Sequence, residues 1–233
     1  MKAHVKALPE RERSVKGLAD VYAFESKRVG DISREETRAR GPRPRGDALQ
    51  EVGLQDHWVD FSDPQEEADR AMAFANRGLA RGAKVVALLP TADFDGYRKA
   101  AARSGHSEDL DRGRLSLLPM DHQLKTLRTA GAAALLVLAV QGIIQGARSE
   151  GYPETWFISK VASELLASSA PFLDLVLRVE SAWSLVLRSF PVAVYCPFPL
   201  MIPSDPEFMS ALVQRHSWAA LGNLTIAEGA HRR

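Results

Sequence analysis

The chain has one cysteine among 233 residues, Cys196, and this scarcity excludes an internal disulfide bond. A lone thiol is typical of a reducing compartment, and the charged N-terminus lacks the apolar run of a secretory signal, so a cytoplasmic protein is predicted. Neither positive nor negative charge is in excess, since the chain has 30 Lys and Arg and 29 Asp and Glu. The net charge of +1 therefore does not indicate a particular class of partner.

The chain also lacks an apolar run long enough for a membrane helix, which needs about 20 residues. The most apolar stretch, Ala130 to Ile144, is shorter and contains Gln141. We interpret it as a buried element and expect no membrane contact. Whether Ala130 to Glu150 forms one helix or a strand followed by a helix is open, because periodicity does not distinguish the two in so apolar a run.

From residue 51 onward, short apolar runs alternate with amphipathic segments. "HWVDF", "KVVALLP", "RLSLLP", "TWFIS" and "VAVYC" are typical of buried strands, and the segments between them have helical spacing. This alternation predicts one α/β domain over residues 51–233, with a mainly parallel sheet and helices on both faces. Residues 1–50 differ: they are basic, poor in apolar side chains and interrupted by Pro42 and Pro44, which predicts a partly disordered arm.

The junction after "HWVDF" lacks the glycines and the lysine of a phosphate-binding loop, whose pattern is G-x-x-x-x-G-K-[ST]. The segment from Ser62 to Glu67 reads SDPQEE and carries carboxylates where a nucleotide needs cations. We expect Asp63 to be the N-cap of the following helix, with Glu66 completing a capping box. The stretch "AALLVLAV" also lacks the terminal Asp that would hold magnesium. These absences predict a protein that is not an ATPase.

Several stretches, in order, resemble a known family. "HWVDFSDPQEEADRAMAFANRGLARGAKVVALLP", "YRKAAARSG", "RLSLLP", "ARSEGYP", "RVE" and "VAVYCPF…RH" are similar to the MEDS domain, the methanogen/methylotroph DcmR-type sensory domain, over roughly residues 55–218. The resemblance implies a RecA/KaiC-like fold that has lost its phosphate-binding loop. It also implies sensing of small, often hydrocarbon-derived molecules within regulatory proteins.

The resemblance supplies four family-typical positions, and a neighbouring tryptophan completes the set of candidate ligand-binding residues: His57, Glu180, Cys196, His216 and Trp183. Each has a structural alternative. The histidines are equally suited to capping or core hydrogen bonds, and the tryptophan to core packing. The cysteine lies in apolar surroundings, which favour a buried and inert thiol.

We therefore predict a non-catalytic sensory or regulatory domain that binds a small molecule at the carboxyl ends of the strands and signals to a transcriptional or other regulatory partner. The alternatives are a ligand-free protein-interaction module and an enzyme that uses Cys196 with a histidine. No cofactor and no metal are expected, because the acidic residues around Asp121-His122 are interpreted as solvated surface. A homo-oligomer is compatible with the sequence, and the basic arm could contact DNA phosphates without sequence preference.

Overall fold

A computed structural model describes residues 43–44, 52–130, 133–167, 173–200, 206–221 and 224–228. The predicted N-terminal arm, residues 1–50, lies outside the described residues except for a two-residue strand. The strands are β1 Arg43–Pro44, β2 His57–Ser62, β3 Lys84–Leu89, β4 Leu115–Pro119, β5 Thr155–Ser159, β6 Val192–Pro199, β7 Trp218–Leu221 and β8 Leu224–Glu228. The α-helices are α1 Glu67–Ala80, α2 Phe94–Arg103, α3 Ser107–Asp111, α4 Asp121–Ala130, α5 Ala134–Ser149, α6 Val161–Leu166, α7 Leu173–Ser189 and α8 Pro206–Val213.

Six parallel strands form the centre of the sheet, in the order β7-β2-β6-β5-β3-β4. The strand β8 adds to β7 in the antiparallel direction, and β1 adds to β8. Parallel neighbours that are not consecutive in the chain require crossover helices, which cover both faces of the sheet. The predicted fold class, α/β with a mainly parallel sheet and helices on both faces, is confirmed.

Each face of the sheet has its own apolar layer, because side chains alternate along a strand. In β2, Trp58 faces the layer formed with α1 and α2, whereas Val59 and Phe61 face the layer formed with α5, α6, α7 and α8. All six residues of β2 are buried, as are the five of β5. Strands covered on both sides in this way read as continuous apolar runs, which is why they were recognisable in the sequence.

The stretch that periodicity left open is helical, since α5 occupies Ala134–Ser149. Its buried positions, Leu136, Val140, Ile144 and Ala147, recur every three or four residues and face the sheet. No helix in the described part of the chain is both long and apolar enough to cross a membrane.

Elements without a strong apolar pattern were missed. Three helices, α3, α4 and α6, and the strands β1, β7 and β8 were not predicted. Helix α4 does carry a signal, because Met120, Leu124 and Leu127 are buried at a spacing of four and three residues. Asp121 at its start is exposed and accepts hydrogen bonds from the backbone and hydroxyl of Thr91, so it lies at the surface as predicted.

The capping box predicted after β2 is wrong, because α1 begins at Glu67 and its N-cap residue is Glu66, not Asp63. Asp63 does accept a hydrogen bond from the backbone N–H of Gln65 at 3.0 Å. The carboxylate of Glu66, however, binds the guanidinium of Arg70 at 2.6 Å instead of turning back to Asp63. An ion pair four residues along the helix competes successfully with the capping hydrogen bond, because both partners carry charge.

Gly78 in α1 allows the helix to lie directly on the indole of Trp156 in β5. A Cβ at Gly78 would be 2.9 Å from two ring atoms of that side chain. Since the indole is fully buried, it has little room to move away.

We expect Gly78→Ala to lower the free energy of unfolding by about 1–2 kcal/mol, because overpacking exceeds the gain in helix propensity. Urea denaturation measures this. Gly142→Ala on α5 is the matched control, since a Cβ there meets nothing within 4 Å and should be neutral or slightly stabilising. Equal effects at both positions would contradict the packing argument.

Candidate functional site

Four of the predicted site residues meet beneath α7. His57 is the first residue of β2, Cys196 is the fifth residue of β6, and Glu180 lies midway along α7. His216 lies in the connection between α8 and β7. All four side chains are buried, and one ligand atom from each lies within 4.8 Å of the others. We call this group the His57–Glu180–Cys196–His216 cluster.

Glu180 is at the centre of the cluster. Its Oε2 atom lies 3.1 Å from Nε2 of His57 and 3.2 Å from Nε2 of His216. The Cys196 Sγ atom lies 3.7 Å from the same oxygen and 3.4 Å from Nε2 of His57. The two imidazole rings face each other with centroids 3.9 Å apart.

The cluster does not lie where the ligand pocket was predicted. His57 begins β2 and His216 precedes β7, so the cluster lies towards the amino ends of these two strands rather than at the carboxyl ends. Register explains the convergence: Val59 pairs with Cys196, two residues further along β2 than His57 and on the same face. Trp183, one turn after Glu180 on α7, packs its ring against Phe157 of β5 at 5.3 Å.

Backbone contacts fix the orientation of both imidazoles. Nδ1 of His57 lies 3.0 Å from the carbonyl oxygen of Arg215, and Nδ1 of His216 lies 2.8 Å from that of Leu212. A carbonyl only accepts, so each Nδ1 carries a proton. In the neutral ring each Nε2 then carries a lone pair that is directed into the cluster.

Burial and the contacts within the cluster set the pKa values of His57, Glu180 and Cys196. Burial is the main reason that the pKa of His57 falls to about 4, and His216 lowers it further, so His57 is neutral near pH 7. Burial acts to raise the pKa of Glu180, but the two histidines outweigh it and hold that pKa at about 2. Burial, followed by the nearby Glu180 carboxylate, raises the pKa of the Cys196 thiol well above its ordinary value.

Hydrogen bonds within the cluster do not satisfy all of its polar atoms. The Oε1 atom of Glu180 and Nε2 of His216 are buried without a hydrogen-bond partner. The 3.2 Å contact between His216 and Glu180 is close enough for an ion pair, yet its direction does not make a hydrogen bond.

The carboxyl edge of the sheet is occupied by a second group of charges. Lys160, which follows β5, places its Nζ atom 2.9 Å from Glu67, 2.6 Å from Asp93 and 3.8 Å from Glu164. Tyr97 donates a further hydrogen bond to Glu67 at 3.2 Å. Carboxylates thus occupy the region where α1 begins, which is the end of a helix that attracts phosphates.

Sequence reasoning missed this group. Burial lowers the pKa of Lys160, but Glu67 and Asp93 outweigh that effect and raise it, so the lysine is charged. Lys160 directly follows β5, Glu67 begins α1 after β2, and Asp93 lies between β3 and α2, and these positions are the signal that could have identified them. A separate buried pair was also not predicted. The hydroxyl of Tyr195 on β6 donates a hydrogen bond to the carboxylate of Asp60 on β2.

Replacing Lys160 tests the second group. We expect Lys160→Met to lower the free energy of unfolding by about 2–3 kcal/mol, because it leaves three carboxylates without their cation and two of these are partly exposed. Urea denaturation measures the change. The control is Arg81→Met, which breaks the exposed Arg81–Glu154 pair and should cost less than about 1 kcal/mol. A cost for Lys160→Met no larger than that of the control would contradict the argument.

The lowered pKa of His57 predicts a loss of stability in acid. The unfolded chain takes up the His57 proton near pH 6.5, whereas the folded protein takes it up only near pH 4. The free energy of unfolding should therefore fall as the pH falls through this window. Urea denaturation over the window measures the slope, and His57→Gln should reduce it. His106→Gln, which removes a histidine paired with Asp109 outside the cluster, should not. An unchanged slope in His57→Gln would be the contrary result.

Comparison with known proteins completes the description. No curated protein sequence matches this chain at a significant level. Among solved structures, the chain is similar to the flagellar accessory protein FlaH from Methanocaldococcus jannaschii, with 11% identity, a TM-score of 0.44, and 73% of this chain and 72% of that chain covered. A match this weak does not by itself establish the fold, which is defined by the parallel sheet described above.

The match to a protein family covers most of the chain. The family described as "MEthanogen/methylotroph, DcmR Sensory domain" matches residues 58–217, which include the whole parallel sheet core from β2 to β6 except His57. Glu180, Cys196 and His216 lie within the matched range, and His57 directly precedes it. The chain therefore belongs to the MEDS family of sensory domains.

Proposed function

We propose that this protein is a non-catalytic sensory domain that binds a small molecule at the His57–Glu180–Cys196–His216 cluster and passes the signal to a regulatory partner. The observation that carries the proposal is the cluster itself. Four buried polar groups lie together inside an otherwise apolar layer, and two of their atoms, Oε1 of Glu180 and Nε2 of His216, have no hydrogen-bond partner. Buried polar atoms without partners are costly and are concentrated at functional sites.

The second group of charges supports a role other than nucleotide binding. Lys160 is held by carboxylates, and Glu67 occupies the start of α1. A triphosphate at this edge would meet Glu67, Asp93 and Glu164 without a free cation among them. Electrostatic repulsion therefore opposes binding there.

The state of Cys196 supports a role other than covalent catalysis. Its side chain has no exposed surface, and the neighbouring carboxylate of Glu180 stabilises the protonated thiol. A nucleophilic cysteine needs the opposite conditions, namely an accessible thiolate beside positive charge. A sensory role does not require an accessible thiolate.

The position of the cluster is suited to passing a signal from a bound ligand to the surface of the protein. It joins α7 to two neighbouring strands, β2 and β6, and to the connection between α8 and β7. A ligand that changes the contacts of Glu180 would change how α7 is held on the sheet. A movement of this helix is the kind of two-state element through which a buried site affects a distant surface.

Calorimetry with ATP and magnesium tests the exclusion of nucleotide chemistry. We expect no heat of binding, because carboxylates occupy the start of α1. The variant Lys160→Met should not bind either, since it removes a cation and leaves the carboxylates. Micromolar binding of ATP to the unmodified protein would overturn this part of the proposal.

Thermal unfolding with a panel of one-carbon and short hydrocarbon derivatives tests the sensory role. The panel follows from the family description, and at least one class of compound should raise the melting temperature by mass action. The shift should be lost in Glu180→Gln, which removes the central charge with little change in volume, and kept in His106→Gln. Shifts that persist unchanged in Glu180→Gln would show that the ligand binds elsewhere.

A further inference from the structure

We propose that the His57–Glu180–Cys196–His216 cluster holds a divalent transition-metal ion of the zinc class with four protein ligands. The inference rests on the proposed function in using the same cluster, and it specifies the chemistry of that cluster. The ligands are Nε2 of both histidines, one carboxylate oxygen of Glu180 and the Cys196 thiolate. The predicted absence of a metal is thereby revised, since the acidic residues considered earlier lie elsewhere.

The spacing of the ligand atoms fits a tetrahedral ion. With zinc bonds of about 2.0–2.3 Å, the ligand atoms of a tetrahedron lie about 3.3–3.6 Å apart. Four contacts in the cluster measure 3.1, 3.2, 3.4 and 3.7 Å, and all the ligand atoms lie within 4.8 Å of one another. Small shifts of the side chains would bring them all to bonding distance around a common centre.

The direction of the lone pairs is the second argument. Each Nδ1 donates to a backbone carbonyl, so each Nε2 is directed to the carboxylate oxygen of Glu180 and in the neutral ring presents a lone pair to it. Lone pairs of nitrogen and oxygen at 3.1 and 3.2 Å repel each other unless a proton or a cation lies between them. The cluster also keeps a buried polar atom without a hydrogen-bond partner, Nε2 of His216. A cation at its centre would satisfy every one of these atoms.

Charge balance agrees with a divalent ion. On binding, the Cys196 S–H bond breaks, the sulfur bonds to the ion through its lone pair, and the proton leaves to solvent. The thiolate and the Glu180 carboxylate then supply two negative charges, and the imidazoles are neutral. An ion of charge +2 makes the site neutral overall, which suits a cluster with no solvent exposure of the carboxylate.

The surroundings already provide the second layer of contacts that metal-binding histidines require. Such histidines donate their other ring N–H to a carbonyl or carboxylate, which fixes the tautomer and raises the basicity of the ligand. The carbonyls of Arg215 and Leu212 fill this role. One thiolate, two imidazoles and one carboxylate favour zinc over magnesium or calcium, which prefer oxygen ligands. Four protein ligands complete a tetrahedral shell, so a small molecule would bind at the cluster by displacing one of them or by expanding the shell to five.

Metal analysis of the full chain, purified without a polyhistidine tag and without chelators, is the first test. Elemental analysis should find one zinc per chain, either as isolated or after zinc is added and the excess removed. X-ray absorption at the zinc edge should then give one sulfur and three nitrogen or oxygen neighbours. Absence of stoichiometric zinc under both conditions, or a shell without sulfur, would overturn the proposal.

Cobalt substitution identifies the ligands. Cobalt(II) added to the metal-free protein should give the visible bands of a tetrahedral ion and a thiolate charge-transfer band in the near ultraviolet. Cys196→Ser should lose the charge-transfer band, and Glu180→Gln should lose most of the bound metal. His106→Gln is the matched control, because it removes a histidine–carboxylate pair outside the cluster and should bind metal normally. Equal spectra in Cys196→Ser and the unmodified protein would overturn the assignment.

The two proposals fail separately. If a variant does not fold, the zinc content and absorption spectrum of the unmodified protein still decide the metal proposal. If zinc is absent and the small-molecule shift depends on Glu180, the metal proposal is wrong and the sensory proposal stands. If zinc is present and no compound in the panel shifts the melting temperature, the ion is supported and the proposed ligand class is wrong.

Discussion

The burial of the Glu180 carboxylate is the constraint on which this structure depends. A negative charge without solvent exposure, inside an apolar layer, costs several kcal/mol unless neighbouring groups compensate. The compensating groups come from β2, β6 and the connection before β7, so the position of α7 depends on these elements being aligned. Register pairing of β2 with β6 places His57 and Cys196 on the face towards α7. The electrostatic requirement of one side chain is therefore met only in the complete sheet.

The two ends of the parallel sheet differ in whether their polar groups satisfy one another. At the carboxyl edge, where open α/β sheets commonly bind ligands, Lys160 and its carboxylates satisfy one another. Beneath α7 and towards the amino ends of β2 and β7, the cluster keeps unsatisfied atoms. A site that is already neutralised has little to gain from a ligand, whereas an unsatisfied one has a strong reason to bind one. The unsatisfied polar atoms of this sensory domain therefore lie beneath α7 and not at the carboxyl edge of the sheet.

Comparison of sequence and structure separates what local patterns reveal from what they do not. The buried strands β2, β3, β5 and β6 were predicted because strands covered on both faces are continuously apolar. The strands β7 and β8 were missed because "WAAL" and "LTIAE" are short, and because the hairpin signal Gly222-Asn223 between them was not used. The capping box failed because Arg70, one turn further along α1, attracts Glu66 more strongly than a backbone N–H does. Local rules were reliable where only burial mattered and failed where two charged partners competed.

The sequence by itself determined the α/β class, the absence of a phosphate-binding loop and the residue types of the candidate site. The first two properties depend on composition and on spacing within single elements, which can be read along the chain, whereas the candidate site residues were implied by the resemblance to the MEDS domain. Only the tertiary structure decided that His57, Glu180, Cys196 and His216 form one cluster, and that this cluster lies towards the amino ends of β2 and β7. Residues separated by up to 160 positions meet through strand order and register, which local patterns do not encode. The protonation of the cluster was likewise fixed by the tertiary structure, since burial and backbone carbonyls set the pKa of His57 and the direction of its lone pair.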